Sequence, residues 1–567
     1  MLILFMYGLL AISFWGWGQL LCRGIKCQEE PRPVLAMWIG WATVLFLLQA
    51  IHLFQAITAG WSIGLVLIGL LRGLGPFKQW VSVCFFSWGR MDYGFAIGLV
   101  FLAAWGAGHA MLAPTNWDSG LYHFNAIAWI NQYPIIPGLG NLHDRLAFNQ
   151  SFFHYAALLN FEPYFGQGRV VANSFLWLLG VAQYSSTAKN LLQNPQVLPS
   201  DSPFRLPFIL LTFPALAFLA ASSDGFTSPT PDLAATLLQL AVFPVFLEVF
   251  LNQRENKQSA DNLLVFICVL SATAITVKLS NLVFGGLSIL LISIMFYRSR
   301  SILLLKLTGF CSLAIGLWMV RGVIQSGAPF FPSSAITFDM DWAMPKEAID
   351  NCANWVYSWA RHPGPHWRDV LGNWAWFWPW VKRYSHYYAE LSYPLGFSLL
   401  SLCFLGFWPG RSWRLLRPLG WIMAFFVCAL TFWFIQAPDV RFAHALFMLF
   451  CPTCCCFLLV VLKSKLPSRA YMIAFGLLFL ISNLHFLGYG WKYKFFVTRV
   501  SLKGWQAPTQ AELNARVTQF GLSVLVPKSG DLCWDSPLPS TPYFNPNLKL
   551  RNPNDLRSGF TISRATP

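Results

Sequence analysis

The sequence predicts an all-α polytopic membrane protein, on three observations. Of its 567 residues, 56% are hydrophobic and only 11% charged, a balance foreign to soluble chains. About fourteen apolar runs approach the roughly 20 residues that a helix needs to cross the hydrocarbon. Basic residues gather in short loops on alternate sides of those runs.

The runs lie near 1–21, 34–56, 59–73, 94–113, 169–184, 206–222, 233–251, 262–281, 283–297, 302–320, 394–409, 419–436, 442–462 and 470–488. The first has neither a basic n-region nor a small-residue cleavage site, so it reads as a retained span. Those at 59–73 and 283–297 are short, which leaves a re-entrant segment open.

A net charge of +16 invites a nucleic-acid reading, and its distribution argues against one. With the N-terminus outside, the inner loops carry Arg23, Lys26 and Arg32; Arg72, Lys78 and Arg90; Arg254 and Lys257; Arg298 and Arg300; Arg411, Arg414 and Arg417; Lys463, Lys465 and Arg469. The outer turns near 57–58 and 223–232 carry none. This pattern places both termini outside, together with two long loops, 114–168 and 321–393. Most of the 13 cysteines lie in spans as small apolar fillers. Cys352 and Cys533 lie in external segments, where a disulfide is permitted and the sequence does not decide it.

Three divisions follow. Residues 1–93 hold the first three spans, with few polar side chains inside them. Residues 94–488 form the core with its two external loops. Residues 489–567 are a polar, proline-rich external tail, expected to have little regular structure and to be held by aromatic and proline contacts.

The first long loop concentrates the polar chemistry. Asp118 to Ile130 predicts a helix on which Asp118, Tyr122, Asn125 and Trp129 share a face, with His123 well round from Asp118 as a structural hydrogen-bonding group. Pro134, Pro137, Gly138 and Gly140 break it. A second, amphipathic helix is expected from about Asn149 along the membrane surface, and Asp144 beside Arg145 reads as a local surface ion pair. Further on, Asp232 in TSPTPDL is expected to cap the helix from Leu233. Lys278 stands near the outer end of the eighth span. After DMDWAMP the second loop has a tryptophan-rich stretch, Trp355, Trp359, Trp367, Trp374, Trp376, Trp378 and Trp380, which fits the headgroup level, with stacking on a sugar as the alternative. The last external turn is APDVRF, Ala437 to Phe442. Phosphate loops, zinc spacings and nucleophile elbows are not evident.

On this topology Asp118, Asp232, Lys278, Arg321 and Arg441 converge at the outer membrane surface, although far apart in sequence. Ionisable groups at membrane depth are costly and usually pair or serve a substrate. Glycosyl transfer from a lipid-linked sugar needs these types of group. A carboxylate accepts the acceptor hydroxyl's proton, cations stabilise the departing phosphate, and an apolar groove holds the lipid chain.

An Asp just outside a span, leading into a loop with two interfacial helices, resembles the GT-C superfamily of polyprenyl-phosphate-sugar glycosyltransferases, including protein O-mannosyltransferases and aminoarabinose transferases. WDSGLYH, TSPTPDL, TVKLS, the run Ser326 to Pro329, APDVRF and CWDSPLPSTPYF together look like a bacterial multipass family within or beside it. The resemblance implies Asp118 as catalytic base or metal-site acid, Asp232 assisting it, and Lys278 as a phosphate contact. Those transferases often have Asp-Glu at the first site, whereas Ser119 follows Asp118 here, so a divalent metal ion is left open.

The expectation is therefore a glycosyltransferase of the bacterial inner membrane that moves a sugar from polyprenyl phosphate to a glycan, lipid or protein acceptor. Asp118 and Asp232 would be catalytic. Tyr122, His123 and Asn125 would shape the pocket, and Lys278, Arg321, Asp439 and Arg441 would serve substrate binding. Two alternatives stand beside it: a polysaccharide polymerase or ligase relying on loop arginines, and a transporter or flippase of lipid-linked sugars. Against transport, the polar groups gather at one face, whereas transporters usually bind near the midplane.

Overall fold

The computed structural model describes residues 1–193, 202–222, 225–252, 261–364, 366–387, 389–407, 413–463, 465–493 and 504–563. Every predicted run falls on a helix. The chain opens with α1 (Leu2–Ile25), α2 (Pro33–Ile51), α3 (Ala59–Ser87) and α4 (Arg90–Ala110). Among the described residues nine helices are long and apolar enough to cross a membrane, and four apolar stretches are shorter. The multi-pass membrane architecture stands, while this measure does not reach the expected figure of about fourteen.

The first three helices pack tightly because small residues let their backbones meet. A Cβ on Gly40 of α2 would lie 1.7 Å from the carbonyl oxygen of Phe14 in α1, so only glycine permits this approach. The short run 59–73 is the start of a helix that continues to Ser87, so Arg72 and Lys78 ride on α3 rather than in a loop. Arg254, Lys257 and Arg411 lie outside the described residues.

The first long loop folds inward. Asp118 precedes a π-helical turn, Ser119–His123, that runs into α5 (Phe124–Gln132). After the short α6 (Leu139–Leu142) comes α7 (Phe152–Asn160), every residue of which is buried. The expected surface helix is thus an interior one, packed against α2, α3, α5 and α8 (Val171–Gln193). Its sequence FFHYAALLN carries no charged side chain and is polar only at His154, Tyr155 and Asn160, which suits a buried helix better than an interfacial one.

The bundle continues through α9 (Ser202–Ser222), α10 (Pro231–Leu251), α11 (Asp261–Val277), α12 (Leu282–Phe296) and α13 (Ser301–Ser326). The second loop holds α14 (Lys346–Arg361) and α15 (Phe377–Tyr387), followed by α16 (Ala389–Phe407), α17 (Trp413–Gln436), α18 (His444–Lys463) and α19 (Ser468–Tyr493). Ion pairs join helix ends at one side of the bundle: Arg32 with Glu248 at 2.9 Å, Arg205 with Glu248 at 2.7 Å, and Arg300 with Asp261 at 3.0 Å. The long loops and the tail occupy the other side.

The tail is more ordered than its composition suggests. β1 (Leu513–Val517) pairs antiparallel with β2 (Ser523–Pro527), and β3 (Leu548–Leu550) with β4 (Phe560–Ile562). It sits on the first loop: Trp534 N–H donates to Gly120 O at 2.8 Å, and Phe560 packs on Trp129. Cys352 and Cys533 are free thiols, so that pairing is not made.

Candidate functional site

A cavity of about 620 Å³ opens at the loop-bearing side between the first loop, the start of α10, the end of α11, α14 and the turn before α18. Asp118, Asp232, Lys278 and the pair Asp439 and Arg441 reach its wall from four separate segments. Asp118 ends the segment after α4. Asp232 lies in the first turn of α10, where Thr230, not Asp232, is the N-cap: its Oγ1 accepts the Asp232 N–H at 3.3 Å, with Pro231 at the first helical position. This cap leaves the Asp232 carboxylate free to pair with Lys278, which follows α11. The Asn173 side-chain amide, 2.9 Å from the carbonyls of Gly225, Ser228 and Thr230, pins the approach to α10.

The fourth segment is Ala437 to Phe442. Asp439 accepts the Arg441 N–H at 3.1 Å and holds its guanidinium at 3.8 Å. Arg441 also reaches Asp118 at 3.4 Å, and with side chains 43% and 32% exposed this pair is open to exchange with a ligand. Lys278 Nζ and Arg441 Cζ lie 4.3 and 4.8 Å from the centre of the Phe442 ring, so two cations flank one aromatic side chain. Trp380 and Trp433 fix this turn by donating to the carbonyls of Pro438 and Asp439, each at 2.7 Å.

The π turn alters the expected helical face. Its wider i to i+5 repeat places His123 beside Asp118 and Tyr122 on the cavity wall. Asn125 and Trp129 turn towards the tail instead, where Asn125 Oδ1 accepts from Ser540 at 2.8 Å. His123 takes part in a buried contact with Ser119 Oγ at 3.2 Å, and burial pushes its pKa down to about 3. At neutral pH it is an uncharged hydrogen-bonding group.

Arg321 is elsewhere. Helix α13 continues past it to Ser326, and its side chain is fully buried, donating to His52 Nδ1 at 3.0 Å and Gln49 O at 3.2 Å. It lines a separate small cavity with His52 and His154. Arg145, in contrast, is no surface residue: it is buried, lines the main cavity, and lies 4.3 Å from the Trp355 ring centre.

Two further wall residues belong to the tryptophan-rich stretch, for which the sequence favours a headgroup belt over sugar stacking. Trp355 and Trp359, one turn apart on α14, stack at 4.7 Å and line the cavity with Tyr357. Trp374 and Trp378 remain exposed, whereas Trp376 and Trp380 are buried. The helical spacing of Trp355 and Trp359 was the available signal. No group of three or more His, Cys, Asp or Glu side chains among the described residues is placed to hold a metal ion. Asp118 and Asp232 face cations instead, so the donor set does not fit one.

A family model described as "Domain of unknown function (DUF8201)" matches residues 1–448. The chain belongs to that family. The match takes in every residue of the cavity wall and stops short of the tail. Neither the curated proteins nor the solved structures contain a match to the chain.

Proposed function

We propose that the protein is an integral-membrane glycosyltransferase of GT-C type that takes a sugar from a polyprenyl phosphate at the outer face of a bacterial inner membrane and passes it to a glycan, lipid or protein hydroxyl. The observation that carries this reading is the meeting of Asp118, Asp232, Lys278, Asp439 and Arg441 around one cavity. An acid and two cations beside an aromatic wall are the groups that such a transfer uses.

In the proposed step the acceptor oxygen attacks the anomeric carbon and its proton passes to the Asp118 carboxylate. The bond between that carbon and the phosphate oxygen breaks, and the electron pair leaves on the polyprenyl phosphate. Lys278 and Arg441, flanking Phe442, stabilise the charge that develops there. Asp232 and Asp439 hold those cations in place, while Trp355 and Trp359 offer a stacked face to a sugar ring.

The test is transfer of radiolabelled sugar from a panel of polyprenyl-phosphate donors in membranes containing the protein. Lys278→Gln and Arg441→Gln should each weaken donor use about tenfold or more. No transfer from any donor by the unaltered protein would overturn the reading.

Arg145 favours a second reading, a polymerase or ligase that works through a loop arginine, because it is buried on the cavity wall against Trp355. In that case Arg145→Lys would abolish polymer formation while Asp118→Asn left it intact.

A further inference from the structure

A second cavity, of about 260 Å³, lies at the opposite side of the bundle. Along α10, Glu248 is sixteen residues beyond Asp232, or about 24 Å at the helical rise. The wall is contributed by α3, α8, α9, α10 and the start of α2. Pro244 shapes it: without an N–H it leaves the Leu240 carbonyl without its helical donor. The Tyr184 hydroxyl supplies that bond at 3.0 Å, and Gln183 donates to Ala241 O at 2.8 Å.

The lining divides sharply by chemistry. Arg32, Lys189 and Arg205 supply cationic groups, while Leu35, Phe208 and Val245 supply apolar surface. Glu248 is buried and grips both arginines through its two oxygens, Arg32 at 2.9 Å and Arg205 at 2.7 Å. It sets their guanidinium groups side by side. The Arg32 side chain is 52% exposed and carries N–H donors beyond the one on Glu248. Lys189 is held 2.6 Å from Asp92. Trp80, part-exposed on the wall, is the residue type that sits at headgroup level.

We propose that this cavity binds the phosphate headgroup of an anionic phospholipid, with Arg32 and Lys189 on the phosphate and the first part of a chain against Leu35, Phe208 and Val245. Charge selects the occupant. Basic side chains on the side predicted to face the cytoplasm meet an anionic leaflet, and a cationic cavity between helices there fits a headgroup. The adjoining apolar wall favours a lipid over a free phosphate ion. The site is independent of the glycosyltransferase reading.

The experiment uses the full chain purified in detergent and titrated with phosphatidylglycerol, phosphatidylcholine or inorganic phosphate, with bound lipid counted by native mass spectrometry. Phosphatidylglycerol should bind on the order of tenfold more tightly than phosphatidylcholine, and raised salt should narrow the gap. The double variant Arg32→Gln, Lys189→Gln should lose the preference, whereas Arg32→Lys should keep most of it. Melting of each variant in lipid-free detergent shows that the fold persists. Equal binding of the two lipids overturns the proposal, as does an unchanged preference in the folded double variant. So does inorganic phosphate displacing the lipid at equal concentration, because the apolar wall would then contribute nothing.

Discussion

At the scale of single residues, burial decides what each polar group can do. His123 and His143 lie inside the loop fold, and burial lowers their pKa values to about 3 and about 4, from 6.5 in the unfolded chain. The folded protein refuses protons that the unfolded chain accepts below pH 6.5. Stability contributed by the neutral rings is therefore present above that pH and lost as pH falls towards 4. The melting temperature in detergent should drop between pH 7 and pH 5, and drop less in His143→Asn. An equal drop in that variant would contradict the assignment. Arg321 shows the limit of reading depth from a run of letters. The apolar run before it ends near residue 320, which by run length alone puts it at the membrane surface, but the helix goes on to Ser326 and buries it.

At the scale of elements, two short features place the acids. Thr230 caps α10 and frees Asp232 for Lys278. Thr230→Val should cost about 1 kcal/mol through the lost cap, with matching loss of donor affinity as the first turn frays. Donor affinity and melting temperature measured together check this. The π turn is supported from outside by the tail, since a Cβ on Gly120 would fall 2.8 Å from the Trp534 ring. Gly120→Ala should displace the ring and reduce sugar transfer with the bundle still inserted, as protease protection and transfer assays would show. A fully active Gly120→Ala protein would mean that the tail does not position this turn. None of this was legible in spacing alone. A period of 3.6 put Asn125 with Asp118 and turned His123 away, and one π turn reverses the two. The short strands of the tail carry too little alternation to stand out among prolines.

At the scale of the whole molecule, more was legible, because apolar run length and the sidedness of basic loops follow directly from the solvent a membrane provides. The helical runs emerged at their predicted places. The topology argument also brought Asp118, Asp232, Lys278 and Arg441 to one side, where the fold joins them around a cavity, while Arg321, expected with them, lies buried apart. Harder to see was the inward folding of the first loop, since a helix as apolar as α7 differs from an interfacial one only in its packing partners. The cavity's aromatic wall was the lesser of two readings for a similar reason: Trp355 and Trp359 have the composition of a headgroup belt and yet line the cavity.

In the proposed transfer Asp118 takes the acceptor's proton. The most direct test of this step is sugar transfer from polyprenyl-phosphate donors by membranes holding equal amounts of the unaltered protein and Asp118→Asn. That change keeps the side chain's size and removes its basicity. Turnover should fall roughly 100-fold or more in Asp118→Asn, with donor binding retained. Undiminished transfer by a stably inserted Asp118→Asn protein would contradict it.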